Sequence, residues 1–413
     1  MEEYPLSIAD RICGELEEKN RVLNEYVKDR EDIGDKEGVI QVRIHQMALC
    51  KVLVNVHNRS PLILVQAHTN LGESYLNNEY YEQALEHLTT ALKLNSSLFN
   101  QYEDTKPYHP HILTLLGKCY LGAGGIDDSL NLLEKALKMN QSLLGNDHIS
   151  NSPVLSALAQ VQLKKKEYTK ALDCLTTVWE LHEKTFGMKH ESLVGIYTEM
   201  AKVHHKQNDL PNAIDCQKRA LNLMSELDIN TDATADIAVT LAQWLQDSNN
   251  FPEALDALRN AEHVYEYNHG MIDKSTAKVK RSICMLLLKA SEYEEALEEC
   301  LELEEIDRSL FGEKSQQYGK NLKVIGTIYM ILNRYSEAHD YFSNSLEIFS
   351  KLKNSKKTVK EIKEKLQQID AALKENPELY NNRSKKVDKL PKMQHEEDER
   401  ADSGSKSDEN NSI

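Results

Sequence analysis

Two groups of histidines could bind a metal ion or act as a general base. His204 and His205 are neighbours, and neighbouring residues on a helix point about 100° apart, so they cannot chelate one ion as histidines four residues apart can. His204 occupies a bulky-residue position of the repeat described below, which favours a packed histidine. Pro107-Tyr108-His109-Pro110-His111 could hold copper or zinc, but it also fits a connector between helices. We predict no metal site, no cofactor and no catalytic residue.

The cysteines and the one glycine-rich run match no motif for chemistry. The seven cysteines are odd in number and form no C-x-x-C pair, so they predict neither a zinc site nor a disulfide framework and are typical of a reducing compartment. Gly122-Ala123-Gly124-Gly125 lacks the preceding strand and the following Lys-Ser or Lys-Thr of a phosphate-binding loop. We interpret it as a turn between helices. The cysteines are Cys13, Cys50, Cys119, Cys174, Cys216, Cys284 and Cys300.

Charge and hydropathy exclude two classes of partner. The formal net charge is −16, and an acidic chain without a basic block repels the phosphate backbone of nucleic acids. No apolar run approaches the length of a membrane-spanning helix, and the acidic start MEEYPLSIADR is unlike a signal or transit peptide. We expect a soluble cytoplasmic protein with no nucleic-acid partner and no direct membrane insertion.

A repeat of about 42 residues organises most of the chain. A small residue recurs within an aromatic or apolar-x-x-small pattern, at steps of 45, 42, 42, 41, 42 and 42 residues. Twelve positions before each of these lies a second small residue, in seven cases out of seven. Two antiparallel helices approach closely where one presents Gly or Ala at the crossing. The first set is Ala84, Ser129, Ala171, Ala213, Ala254, Ala296 and Ala338, and the second is Gly72, Gly117, Ala159, Ala201, Ala242, Cys284 and Gly326.

This spacing predicts seven hairpins, each with a helix A, a short turn and a helix B. Glycine (16 residues) and proline (9 residues) are scarce, which also favours an all-α fold. Gly145, Gly187, Gly270 and Gly312 follow the B helices at the position of a left-handed cap, and Asn100 takes that position in the first repeat. The fourth repeat lacks such a residue, so we expect its turn at Asn230-Thr231-Asp232.

The 42-residue unit that ends in Phe-Gly, with His148 and His190 three positions after the glycine, resembles the long tetratricopeptide repeats of the kinesin light chain. The resemblance covers about residues 60 to 350. It implies a right-handed superhelical solenoid of helical hairpins, with a concave groove lined by the A helices. It also implies a non-catalytic protein that binds other proteins.

We predict four segments. Residues 1–57 form a degenerate N-terminal capping hairpin, in which Val42 takes the small-residue position of helix B, and residues 58–350 form seven repeats. Residues 351–376 form a C-terminal capping helix with apolar residues at helical spacing. Residues 377–413, rich in Lys, Asp, Glu, Ser and Asn, form a disordered tail.

The predicted groove carries the candidate partner-binding residues. In the last two repeats four cations fall on one strip of the A helices, and uncharged or mixed positions precede them. One interpretation is a solvated face, and the other is an electropositive socket for an acidic peptide or a C-terminal carboxylate. The strip holds Lys278, Arg281, Lys320 and Lys323, and the earlier positions are Thr198, Lys202 and Gln243.

The leading functional hypothesis is a protein-interaction scaffold. A motor-cargo adaptor like the kinesin light chain is an alternative that requires a long heptad segment before the repeats, and only residues 12–30 could supply one. An enzyme of unknown class is a second alternative.

Two segments add a resemblance to a narrower family. VHNRSPLILVQAHTNLGESYL at 56–76 and SLFGEKSQQYGKNLKVIGTIY at 309–329 resemble the ciliary family of tetratricopeptide repeat protein 23. That resemblance implies a non-catalytic component of the cilium or axoneme.

Overall fold

A computed structural model describes residues 8–98, 106–353 and 355–375. These ranges contain seventeen α-helices, one short 3₁₀ helix and no strand, so the prediction of an all-α fold is confirmed. Three sequence-based predictions lie partly or wholly outside the described residues: the first seven residues of the capping hairpin, the cap at Asn100 and the tail 377–413.

The chain divides into two compact units, which meet in sequence between Asn268 and His269. The first unit holds α1 Ile8–Asp32, α2 Lys36–Asn55, α3 Leu62–Asn77, α4 Tyr81–Leu98, α5 Tyr108–Gly122, α6 Ile126–Leu144, α7 Ser152–Lys164, α8 Tyr168–Phe186, α9 Ser192–Lys206, α10 Leu210–Glu226, α11 Asp232–Asp247 and α12 Phe251–His269, with the 3₁₀ helix Ile149–Asn151 before α7. The second holds α13 Lys274–Ala290, α14 Tyr293–Phe311, α15 Gln316–Ile331, α16 Tyr335–Lys351 and α17 Lys356–Glu375. The predicted division into caps, seven repeats and tail stays a prediction.

Small residues mark the close crossings of the hairpins. The small residue of helix A faces the side chain four positions beyond the small residue of helix B. A Cβ atom added to Gly72 would lie 2.7 Å from Leu88 Cγ, and one added to Gly117 would lie 2.6 Å from Leu133 Cγ. These distances leave no room for a larger residue, which is the physical reason for the periodic glycines.

Within each of the seven hairpins, the turn is made by a residue with positive φ. It lies five positions before the small residue of helix B, and only one of the seven is a glycine. The amide of the next residue then closes the end of helix A, as when Glu167 N–H donates to the Gln162 carbonyl at 2.8 Å. The seven residues are Glu79, Gly124, Lys166, Asn208, Asn249, Ser291 and Asn333.

The predicted glycine caps after the B helices also have positive φ. Gly145, Gly187, Gly270 and Gly312 have φ values of 94°, 85°, 85° and 81°. In the fourth repeat the turn differs from the expectation, because Asp228 adopts the left-handed conformation with φ 54°. Thr231 instead begins α11 through a capping box with Thr234.

The first hairpin has a different register from the one expected. Its turn residue with positive φ is Gly34, and the residue five positions later is Val39, whose amide donates to Asp35 O at 3.1 Å. Val39 is buried and Val42 is only partly buried. The small-residue position of this hairpin is therefore held by Val39, and the assignment of Val42 was wrong by three residues.

Candidate functional site

The candidate residues of the first unit make local contacts on the surface of their own helices. The Thr198 hydroxyl donates to the Gly195 carbonyl at 2.8 Å. Lys202 Nζ lies 2.8 Å from Glu199 Oε1. Gln243 Nε2 donates to Asp247 Oδ1 at 3.3 Å. Each partner is three or four residues away on the same helix, so these contacts bring no two candidate residues together.

The second unit brings three candidate residues to one cavity of about 320 Å³. Arg281 comes from α13, and Lys320 and Lys323 come from α15. The fourth member of the strip, Lys278, is exposed and does not line the cavity. The lining is completed by Cys284, Met285, Cys300, Leu303, Gln316, Gln317, Asn321, Val324, Phe349 and Thr358.

Arg281 is fixed by a buried carboxylate. Its Nη2 atom donates to Asp307 Oδ1 of α14 at 2.7 Å, and Asp307 is 0% exposed. Burial raises the pKa of the Asp307 carboxyl above its ordinary value, while the positive charge of Arg281 opposes the shift. Turned so that its oxygen faces Arg281, the Gln317 amide accepts bonds from Nη2 at 3.0 Å and Nε at 2.7 Å. Arg281 therefore stabilises the hairpin as well as lining the cavity.

The two lysines of the cavity differ in how their charge is balanced. Lys323 Nζ lies 3.3 Å from Glu361 Oε2 of α17, and both side chains are partly exposed. Lys320 is exposed and has no ion-pair partner among the described residues. The uncompensated positive charge of the cavity is therefore concentrated at Lys320.

The floor of the cavity is apolar and its mouth carries a flexible side chain. Leu303 and Phe349 are buried, and so are the thiols of Cys284 and Cys300. Met285, whose side chain can adapt to irregular surfaces, is 47% exposed. The arrangement combines a cationic rim with an apolar base, which suits a peptide segment better than a small polar substrate.

Asp307 is a residue of this site that the sequence analysis missed. It lies eleven positions beyond the small residue of its B helix, and the same position is polar in three other hairpins. In all three the side chain contacts the segment that follows: Asn95 Nδ2 lies 3.3 Å from His109 Nδ1, Asn140 Nδ2 donates to Ser150 O at 2.9 Å, and His182 Nδ1 lies 2.8 Å from Ser192 Oγ. A polar residue recurring at this position was the signal, but it does not reveal that Asp307 pairs with its own A helix.

A buried lysine next to Arg281 was also missed. Lys280 Nζ donates to Glu299 Oε2 at 2.8 Å and to Glu302 Oε2 at 2.7 Å. All three residues belong to the hairpin of α13 and α14. Its two neighbouring cations thus both bind carboxylates of α14, at separate points, which holds the cavity-bearing hairpin together.

The histidines considered as metal ligands make ordinary packing contacts. His204 Nδ1 lies 3.1 Å from Asp209 Oδ2 at the turn of its hairpin. The His205 ring stacks on Trp244 with centroids 4.8 Å apart. His109 Nδ1 lies 3.3 Å from Asn95 Nδ2. Over the described residues, no group of three or more His, Cys, Asp or Glu side chains could hold a metal ion.

One serine lies between two histidines, which bears on the enzyme alternative. Ser192 Oγ is 2.8 Å from His182 Nδ1 and 2.9 Å from His190 Nδ1. A nucleophilic serine also needs a group that orients the base and donors for an oxyanion. Neither histidine is hydrogen-bonded to a carboxylate in the part of the chain that the structure describes. We interpret the cluster as the connection of α8 to α9.

Repeated hairpins of two antiparallel helices, spaced by about 42 residues, define an α-helical repeat protein. The tetratricopeptide repeat profile matches residues 108–184, 192–266 and 275–351, and a second profile of the same repeat matches residues 65–98. The chain therefore belongs to the tetratricopeptide repeat family. Proteins of this kind bind other proteins, and the fold is typically a non-catalytic scaffold. None of the described helices is long and apolar enough to cross a membrane.

The similar solved structures are distant. The C-terminal part of a repeat-containing protein from Cytophaga hutchinsonii is 14% identical, with a TM-score of 0.48, over 69% of this chain and 96% of that one. A putative kinesin light chain from Podosopora anserina, with nearly identical tetratricopeptide-like repeats, is 17% identical with a TM-score of 0.43, over 51% of this chain and 99% of that one. The apo form of RapI is 11% identical with a TM-score of 0.45, over 80% and 97%. No curated protein matches the chain.

Proposed function

We propose that this chain is a non-catalytic protein-interaction scaffold that binds an acidic segment of a partner protein at the cavity of the second unit. The observation that carries the proposal is the combination of Arg281, Lys320 and Lys323 around one apolar floor. An acidic side chain of the partner would pair with the rim, and an apolar neighbour would fill the floor.

Lys320 is the cation most available to such a partner. Arg281 is held by Asp307 and Lys323 is paired with Glu361, so an incoming carboxylate meets Lys320 first. The partly exposed Glu361 can be exchanged for a carboxylate of the partner at small cost, because exposed ion pairs contribute little to stability. Arg281 then orients the ligand without leaving Asp307.

The remaining candidates are further positions at which each unit, taken by itself, could contact a partner. Lys278 lies on the same helix as Arg281, and Thr198, Lys202 and Gln243 lie on A helices of the first unit. Their side-chain contacts are local, so a partner can replace them without disturbing the core. They serve as secondary contacts, and the cavity supplies the specificity.

The test compares two charge reversals of equal size. Affinity capture from cells, read by mass spectrometry, is performed with wild-type protein, with Lys320→Glu and with Lys314→Glu, which is exposed and outside the cavity. We expect Lys320→Glu to lose at least one partner, and Lys314→Glu to retain it. The wild-type interaction should weaken as salt rises. Retention of every partner by Lys320→Glu would refute the cavity as the binding site.

The cilium is the first cellular location to examine, because of the resemblance of residues 56–76 and 309–329 to a ciliary family. A fluorescent fusion of the full chain should concentrate at the base of the primary cilium beside a basal-body marker. A uniform cytoplasmic distribution in ciliated cells would count against this location and would leave the proposed binding site untouched.

The motor-cargo adaptor is less well supported than the scaffold. The heptad segment at residues 12–30 lies within α1, and its apolar side chains Cys13 and Val27 are buried. Gln46 of α2 also donates to Asn24 Oδ1 of α1 at 2.8 Å. Because α1 already packs on α2, this face is not available for a coiled coil with a heavy chain.

A further inference from the structure

One pair of positions brings the two helices of every hairpin together. The pair is the small residue of helix A and the residue four positions beyond the small residue of helix B. In six hairpins a Gly or Ala faces a Leu, Phe or Gln, as in Gly117 with Leu133. A Cβ atom on Gly326 would lie 3.2 Å from the Phe342 ring, which shows how close the backbones are in the second unit as well.

The hairpin of α13 and α14 has cysteine at both positions of this pair. Cys284 is 2% exposed and Cys300 is 1% exposed. Interaction with the Cys300 thiol, together with burial, raises the pKa of Cys284 far above its ordinary value. Both residues also line the cavity described above, which is the route by which a small molecule would approach them.

We propose that Cys284 and Cys300 form a redox-active pair that closes an intrachain disulfide when a small hydroperoxide enters the cavity. A disulfide requires Cβ atoms about 3.5–4.5 Å apart. At the matching positions of another hairpin, a Cβ atom on Gly117 would lie 2.6 Å from Leu133 Cγ, the atom bonded to the Leu133 Cβ. The other five cysteines do not share such a pair of positions.

The reaction balances with one molecule of hydrogen peroxide. One cysteine loses its proton, and its sulfur attacks the O–O bond, which gives a sulfenic acid and releases hydroxide that takes up the proton to become water. The second sulfur then displaces the sulfenic hydroxyl group, and that hydroxyl leaves with the second thiol proton as water. Two thiols are oxidised to one disulfide, and the peroxide is reduced to two waters.

The raised pKa of Cys284 slows the attack of its thiol on peroxide. Only the thiolate attacks peroxide, and a buried thiol with a raised pKa is seldom ionised. We therefore expect oxidation over hours at millimolar peroxide rather than within seconds. The disulfide would tie α13 to α14 directly beneath Arg281, and the closed loop would restrict the unfolded chain.

The experiment treats the full chain with hydrogen peroxide, alkylates free thiols after denaturation and maps the peptides by mass spectrometry. We expect a linked peptide that contains Cys284 and Cys300, lighter by two hydrogen atoms and restored by dithiothreitol. The thermal midpoint of the second unit should rise by roughly 5 °C. The control is the double variant Cys284→Ala with Cys300→Leu, which copies the Ala242–Leu258 pair of the preceding hairpin.

The double variant should keep its helical circular dichroism and should lose the linked peptide. Three results would overturn the proposal. In the first, both cysteines remain alkylatable after prolonged peroxide. In the second, each is oxidised singly to a sulfinic acid. In the third, the double variant still loses two hydrogen atoms to the same extent, which would place the disulfide elsewhere.

Discussion

The candidate residues of the two units all lie on A helices but make different contacts. In the first unit Thr198, Lys202 and Gln243 bond to residues three or four positions away on their own helix. In the second, Arg281 and Lys323 bond to carboxylates on other helices and share one cavity. A repeat position therefore tells which face a side chain occupies, and the neighbouring helix decides whether that face becomes a site.

The largest expected difference in stability is between removing a contact to another helix and removing a contact within one helix. Arg281→Ala leaves Asp307 buried without its cation and should destabilise the second unit by about 3 kcal/mol. Lys202→Ala should change stability by less than about 0.5 kcal/mol. Native-state hydrogen exchange of α13 and α14 measures the first, and that of α9 and α10 the second. Adding Asp307→Asn to Arg281→Ala should recover part of the lost stability. Equal effects of Arg281→Ala and Lys202→Ala would show that the two kinds of contact do not differ in strength.

Lowering the pH should destabilise a hairpin of the first unit before the hairpin of α13 and α14 in the second unit. Burial, with contributions from His87 and Lys51, lowers the pKa of His68 from 6.5 to about 4. The unfolded state then binds the proton more tightly, so the stability of the α3–α4 hairpin falls as the pH decreases from 6.5 to about 4, by at most about 3 kcal/mol.

The raised pKa of Asp307 makes stability change with pH in the opposite direction. Its folded state holds the proton more tightly, so this group favours folding more as the pH falls through its folded pKa. Hydrogen exchange at several pH values, corrected for the intrinsic rate, should show α3 and α4 losing protection before α13 and α14. His68→Leu should flatten the response of α3 and α4, and an unchanged response would assign it to another group.

Overpacking should affect the first unit more than removal of a thiol affects the second. Gly117→Leu places a side chain where even a Cβ atom lies 2.6 Å from Leu133 Cγ, at a cost of about 1–3 kcal/mol or more. Cys284→Ala at the equivalent position leaves a residue that other repeats already use, so we expect a loss of about 1 kcal/mol. Urea unfolding measures both, and a Gly117→Leu variant as stable as wild type would refute the assigned register.

The smallest expected difference lies between two exposed ion pairs. A double-mutant cycle on Lys323 and Glu361, which joins α15 to α17, should give a coupling of at most about 1 kcal/mol. The cycle on Lys202 and Glu199, within α9, should give about 0.3 kcal/mol. A larger coupling free energy for the pair within α9 would show that an ion pair between helices is no stronger than one within a helix.

The sequence predicted the elements that repeat and missed those that depend on a single neighbour. Periodic small residues located the crossings, as Gly72 and Gly117 confirm, because a steric requirement leaves the same residue type in every copy. The turn at Gly124 was predicted, but the turn residues Glu79, Lys166 and Ser291 were missed because they adopt positive φ without being glycine or asparagine. Three of the predicted cations surround one cavity because carboxylates of α14 and α17 hold two of them there. The repeat pattern of the sequence does not predict these carboxylates.

The recurring left-handed turn has a consequence for how such a chain can grow. Gly124, Lys166 and Asn208 are spaced at equal intervals of 42 residues, so unequal crossing-over between neighbouring copies adds or removes one whole hairpin and keeps every later side chain on its original face. Loss of a single residue inside a helix would instead rotate everything after it by about 100°. The one interval of 41 residues, from Asn208 to Asn249, contains the connector where Asp228 takes the left-handed conformation, and the preceding α10 ends after 17 residues where α8 and α12 have 19. Length changes that survive in this lineage should therefore be confined to whole hairpins and to the connectors between them.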